Sequence, residues 1–167
     1  MIEEVIYKES LFINEYTEDT DLIQKHINHI LEFDQGRVKS NLGGYQSNDI
    51  TFGFNDLIKF AIDSLKLIKV DARLSNFWLN INKNNHSNDP HIHDLTNWSA
   101  VYYHKVCCHD PKISFHHLVP TVIEETYSYT PKEKQMIFFK SNIPHSVSPC
   151  FNQGHERISI AFNFHKL

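Results

Sequence analysis

The sequence predicts an α+β fold in which N-terminal helices cover a β-sandwich or barrel. Three observations carry this expectation. Apolar residues recur with a helical period in two segments before residue 71. Beyond it the period vanishes, and segments rich in Val, Ile, Tyr, Phe and Thr follow one another, separated by Pro, Asn, Asp or Gly. The last segment alternates apolar and polar residues, as a strand between unlike surroundings does. Helices first and strands afterwards is the order of an α+β layout. At 167 residues the chain can bury a core without disulfides or structural metals. It is expected to be one domain over 1–167, with 1–70 mainly helical and 71–167 forming the β core.

Taken in order, Val5 to Ile13 reads as a strand. In "TEDTDLIQKHINHILEFDQG", Leu22, Ile23, Ile27, Ile30 and Leu31 share a helix face, with Asp19 or Thr20 as cap and Gly36 just beyond the end. His26 and His29 on this helix read as surface or boundary residues. The stretch "RVKSNLGGYQSNDI" is dense in Gly, Asn and Ser and reads as a loop. Gly43 and Gly44 would make it flexible, and Tyr45 and Gln46 could contact a ligand, so it is either a substrate lid or a simple turn. A second helix is expected over 55–70 from Leu57, Ile58, Ala61, Ile62, Leu65 and Ile68. Strands are expected near 72–83, 98–107, 112–118, 121–129, 135–140 and 156–164. In the last, Arg157, Ser159, Ala161 and Asn163 point one way, and Ile158, Ile160, Phe162 and Phe164 the other. One face is packed and the other has polar work to do. Trp78 and Trp98 read as core.

Composition excludes several classes. Hydrophobic residues at 41% and charged residues at 22% are those of a globular chain. A net charge of −4 with scattered Lys and Arg gives no footprint for nucleic acid. No window approaches a membrane span, and "MIEEVIYKES" is acidic where a signal peptide is basic, so a cytoplasmic protein is expected. Cys107, Cys108 and Cys150 are odd in number and lack metal-site spacing, and they read as reduced structural thiols. Twelve histidines are the unusual feature.

His91 and His93 in "HIH" would leave one face of an extended strand and reach a single ion. Imidazole suits iron, zinc, copper or nickel, and few protein ligands leave positions open for substrate or oxygen. Alone the spacing is weak, because loop histidines explain it equally well. His145 in "MIFFKSNIPHSVSPC" is a second feature, at a turn from a buried strand into another. Twelve residues later Arg157 and Ser159 share a face of "RISIAFNF". An arginine inside a barrel requires an anion, either a ligand or a glutamate. His104, His109, His116 and His117 show no recurring ligand spacing and suggest no second metal site.

The ordered set "SNLGGYQS", "FWLNINK", "HIH", "SAVYY", "IPHSVSP" and "RISIAFN", spanning roughly residues 36 to 164, resembles the iron(II)/2-oxoglutarate-dependent oxygenases of marine phages and bacteria, relatives of the prolyl-hydroxylase type. The resemblance implies a double-stranded β-helix, a jelly-roll or cupin-like barrel with the N-terminal helices on one side. It implies iron(II) held by His91, His93 and His145, with His93 where the usual H-x-D/E motif has its carboxylate, a substitution in keeping with this group. It further implies Arg157 on the distal carboxylate of 2-oxoglutarate, Ser159 completing an R-x-S pair, Tyr103 as a hydroxyl donor to the same carboxylate, and Asn80 and Asn82 lining the cosubstrate pocket. The partners would be 2-oxoglutarate, O2 and an unidentified substrate, in the cytoplasm of a bacterial cell or phage-infected host, with a homodimer possible. Two other readings stay open: a cupin-like metal protein that does not use 2-oxoglutarate, and a noncatalytic β-helix interaction module. Arg157 and Ser159 discriminate, because a cupin needs no anion anchor there and adds a glutamate after H-x-H, where this chain reads "DLTNWS".

Overall fold

Two antiparallel sheets face each other, and two helices cover the outside of the larger one. The computed structural model describes residues 9–106, 112–119, 122–149, 154 and 156–167. Its elements are β1 (Phe12–Glu15), α1 (Asp21–Phe33), β2 (Asn41–Leu42), β3 (Tyr45–Gln46), α2 (Asn55–Leu67), β4 (Ala72–Asn82), β5 (Ser87–His91), β6 (Trp98–Lys105), β7 (Ile113–Val119), β8 (Val122–Tyr129), β9 (Gln135–Lys140), β10 (His145–Val147) and β11 (Arg157–Lys166). The larger sheet has the order β1-β9-β6-β11-β4-β3 and the smaller β2-β5-β10-β7-β8, the jelly-roll layout the sequence predicts.

The alternation along β11 decides how the layers pack. Ser159 lies opposite Asn80 and Tyr103, Ala161 opposite Trp78 and Val101, and Asn163 opposite Asn76 and Ser99. Residues directly opposite share a face, so a mostly polar row is gathered on the side that looks toward the smaller sheet. On the other side Ile158, Ile160 and Phe162 join Phe77, Leu79, Tyr102 and Phe138. These merge with Ile23, Ile27 and Ile30 of α1 and Leu57, Ala61 and Leu65 of α2 in the main core. A smaller cluster of Tyr103, Ile113, Phe115, Ile137, Phe139 and Ile143 fills part of the space between the sheets.

Several boundaries differ from expectation for local reasons. Thr20 occupies the α1 cap position without a side-chain bond, while the Asp19 carboxylate accepts the Asp21 N–H at 2.9 Å. Helix α2 stops at Leu67, short of residue 70, because Lys69 turns to φ 61° and the N–H groups of Ile68 and Val70 both return to the Leu65 carbonyl. Among the described residues before 71 the chain is less helical than expected, since β1, β2 and β3 are built into the two sheets. The strand expected from Val5 is described only from Phe12, and residues 5–8, His109, Cys107, Cys108 and Cys150 lie outside the described residues. No helix among the described residues is long and apolar enough to cross a membrane.

Of the two readings left open for residues 37–50, lid or simple turn, the pairings favour a turn that connects the two sheets. Asn41 and Leu42 pair with β5, and Tyr45 and Gln46 pair with β4. Gly43 and Gly44 both adopt φ 70°; a Cβ on Gly43 would lie 2.6 Å from His86 Cδ2, and one on Gly44 would lie 2.7 Å from the Ile81 carbonyl oxygen. The glycines serve close approach in a left-handed turn rather than mobility. The Tyr45 hydroxyl donates to Asp34 Oδ1 at 3.0 Å, which commits it to the fold.

Candidate metal centre

Adjacent strands of the smaller sheet bring the first pair of histidines together. His145 on β10 is registered opposite His91 at the end of β5, and their ring centroids lie 4.4 Å apart. His93 lies beyond the end of β5 rather than within extended strand. Its ring nevertheless comes to 5.1 Å from His91 and 5.2 Å from His145. One ligand atom from each of the three lies within 4.8 Å of the others, and among the described residues no other set of His, Cys, Asp or Glu is gathered in this way.

Two of the rings have defined tautomers. His91 Nδ1 lies 2.7 Å from the Asp89 carbonyl oxygen and His145 Nδ1 2.9 Å from that of Ile143. A carbonyl only accepts, so Nδ1 carries the proton and Nε2 keeps its lone pair in both rings. Burial lowers the pKa of His91. Burial, with His91 adding to it, takes His93 down to about 4. Burial also holds fully enclosed His145 well below the ordinary range, and the His91 and His93 rings push it the same way. All three are therefore neutral near pH 7, the form in which imidazole binds a metal.

The polar row on the larger sheet borders the same space. Asn80, Tyr103, Arg157 and Ser159 line an inner cavity of about 50 Å³ together with His91, His93 and His145. Arg157 is only 3% exposed, which places a full positive charge in the cavity wall. Burial raises the Tyr103 pKa, with the neighbouring Arg157 charge opposing the rise, so the phenol keeps its proton and can donate it in a hydrogen bond. Asn82 does not line this cavity. It lies opposite Arg157 in the register and donates to Asn88 Oδ1 at 3.3 Å; Asn88 in turn donates to Ser40 Oγ at 3.4 Å. Ser40 Oγ is 3.5 Å from His91 Nε2, at the limit of a hydrogen bond.

An outer cleft of about 1000 Å³ is bordered by Arg37, Ser40, Gln46, Asp49, Trp78, Asp94 and Leu95, among others, and by His91 and His93. Those two histidines belong to both spaces and therefore stand between them. Sequence reasoning passed over Ser40; Trp78 is buried as expected, and it also lines both spaces. Its two-residue offset from Asn80 in "FWLNINK" was the available signal.

Comparison with known proteins identifies the family and the fold. Residues 76–163, more than half of the chain and a span that holds all three histidines and Arg157, match the family described as "Putative 2OG-Fe(II) oxygenase", and the chain belongs to that family. No curated protein matches the sequence. Among solved structures, the chain is similar to the viral collagen prolyl hydroxylase of Paramecium Bursaria Chlorella virus-1 in complex with 2-oxoglutarate, at 15% identity and a TM-score of 0.66, covering 92% of this chain and 94% of that one. It is similar to a Pseudomonas putida prolyl-4-hydroxylase at 18% identity and a TM-score of 0.62, covering 95% and 94%. HygX from Streptomyces hygroscopicus, solved with nickel, 2-oxoglutarate and hygromycin B, matches at 10% identity and a TM-score of 0.68, covering 94% and 83%. The fold is thus the double-stranded β-helix of these oxygenases. The protein is an iron(II)- and 2-oxoglutarate-dependent oxygenase, and the cupin-like and noncatalytic alternatives are set aside.

Proposed function

We propose that His91, His93 and His145 hold the iron, that Arg157 binds the distal carboxylate of 2-oxoglutarate with Ser159 and Tyr103 beside it, and that the enzyme hydroxylates a substrate lying in the outer cleft. The observation that carries this reading is a buried arginine lining the same cavity as three neutral imidazoles. The donor set fits the metal, because imidazole nitrogen is a ligand type iron accepts. Asp94, the carboxylate next to His93, is exposed, so the set is read as three histidines. Three neutral donors leave the ion's full charge uncompensated, which favours an anionic cosubstrate.

When bound, the iron supplies dioxygen activation coupled to oxidative decarboxylation of 2-oxoglutarate, which yields succinate, CO2 and one oxygen atom for the substrate. The chain's own residues do the positioning. Arg157 and the Tyr103 hydroxyl supply charge-assisted hydrogen bonds from the wall of the cavity, and Asn80 adds a polar wall. Phe139 and Ile113 close the apolar side of the cavity. The building of β1 and β3 into the larger sheet supports one domain over the whole chain. We place the enzyme in the cytoplasm, where iron(II) and 2-oxoglutarate are both at hand.

The test is an anaerobic titration with iron(II) and then 2-oxoglutarate, following the visible charge-transfer band of the chelate. The band is expected to form, and Arg157→Ala should require about 10–100-fold more 2-oxoglutarate, the equivalent of one charged hydrogen-bond pair. Arg157→Lys should recover only part of this, because a point charge does not reproduce a planar fork. An unchanged 2-oxoglutarate requirement in Arg157→Ala would remove the arginine from its role, and failure to bind iron would remove the triad.

A further inference from the structure

His93 is held differently from its two partners. His91 and His145 are each oriented by an Nδ1–H bond to a carbonyl. Among the described residues the His93 ring makes no hydrogen bond, and only its backbone is fixed. Its N–H donates to the Ser141 carbonyl at 2.9 Å, and its carbonyl accepts from both the N–H and the Oγ1 of Thr96 at 3.2 Å. Those bonds set where the ring begins, not which way it turns. Apart from the other two histidines, the ring it packs on is Trp78, at 5.5 Å between centroids and 45° between planes.

Trp78 is itself held from the outer cleft. The Arg37 guanidinium carbon lies over the indole at 5.9 Å from its centroid. Arg37 Nη2 donates to Asp49 Oδ1 at 2.6 Å, and Asn76 Nδ2 donates to the same oxygen at 3.2 Å. Asn76 Oδ1 accepts from Asn163 at 3.1 Å, Asn163 Oδ1 accepts from Ser99 at 3.0 Å, and Ser99 meets Ser141 at 2.9 Å. Ser141 is the residue whose carbonyl holds the His93 backbone. Arg37 is therefore linked to His93 twice, through the indole to its ring and through a polar chain to its backbone.

We propose that Trp78 is the positioning residue that orients His93, and that Arg37, in cation–π contact with the indole at the edge of the outer cleft, holds Trp78 in place. This rests on His93 being a metal ligand, as read above. The device substitutes an aromatic face for the hydrogen bond that orients the other two histidines. It also places the least constrained ligand under the control of a cationic side chain that an occupant of the outer cleft would touch.

The test uses cobalt(II) as the probe, with its visible ligand-field spectrum and its dissociation constant as readouts independent of turnover. Wild type, His93→Ala, Trp78→Ala, Trp78→Phe and Arg37→Ala are compared. His93→Ala should bind at least ~10-fold more weakly. Trp78→Ala should lose ~10-fold, within the range for groups that orient a ligand, with an altered spectrum. Trp78→Phe, which keeps an aromatic face, should recover most of the loss, and Arg37→Ala should show a smaller change of the same kind. If His93→Ala is weakened while Trp78→Ala and Arg37→Ala match wild type in affinity and spectrum, this inference is overturned and the triad stands. If His93→Ala itself matches wild type, the triad reading fails first. Should Trp78→Ala not fold, Arg37→Ala at a half-buried position and Trp78→Phe decide between the same outcomes. Equal losses in the phenylalanine and alanine variants would also overturn the aromatic role.

Discussion

On the proposed reading His93 is a third neutral ligand rather than a carboxylate, and that would set the electrostatics of the site. An aspartate there would still offer the metal one ligand atom and would cancel part of its charge. His93→Asp is accordingly expected to retain iron(II) binding but to need more 2-oxoglutarate than wild type, as measured in sequential anaerobic titrations. Stronger 2-oxoglutarate binding in the variant would contradict the charge argument. His145 is a different case, because its ring is fully enclosed between Phe115, Phe139 and the other two histidines. His145→Ala should abolish iron binding without transferring the role to a neighbour. That these residues gather at one place was legible in the sequence because each carries its own mark, a two-residue spacing, a proline-turned histidine or an arginine in an apolar strand. Ser40, Asn163, Ser99 and Ser141 carry none, since their meaning comes from hydrogen bonds between segments far apart in the chain.

The connection from α1 to β3 shows how local chemistry builds an element that composition cannot identify. At the end of α1, Asp34 accepts the Gly36 N–H at 2.6 Å, the Tyr45 hydroxyl at 3.0 Å and the Asn48 side-chain amide at 3.1 Å. Burial raises its pKa, but these bonds together outweigh that effect and hold the carboxyl below its usual value. Asp34→Ala should cost about 1–3 kcal/mol, the penalty for leaving such donors without their acceptor. Gly44→Ala should cost a similar amount, because its Cβ would meet the Ile81 carbonyl at 2.7 Å in a left-handed backbone. Both are read as a lower thermal midpoint, about 2–4 °C per kcal/mol for a chain of this size. A Gly44→Ala variant as stable as wild type would contradict the close approach as the reason for glycine at this turn. Long elements such as α1, α2, β4 and β11 were legible from their periods. The short strands β2, β3 and β5 were not, because two to five residues carry no period. Strand β5 even contains Pro90, which the sheet accommodates at an irregularity between its pairings at His91 and Asn88.

Enclosing three imidazoles makes the stability of the whole molecule depend on pH and metal together. In the unfolded chain His93 titrates near 6.5, and in the metal-free fold burial lowers it to about 4. Between these values the unfolded state binds more protons than the folded one, so stability rises with pH. The contribution is complete above about pH 6.5 and is lost progressively as pH falls toward 4. His91 and His145 are lowered too and act in the same direction. A metal that binds only the folded form and only neutral imidazole adds stability by mass action, and protons compete with it over the same interval. The expected result is that the thermal midpoint of the metal-free protein falls more steeply between about pH 7 and 5 than that of His93→Phe. The increment from saturating cobalt(II) should shrink across the same range. A wild-type slope equal to that of His93→Phe, or a metal increment that does not change with pH, would mean that these imidazoles are not held neutral by the fold and that the barrel does not prepare them as ligands.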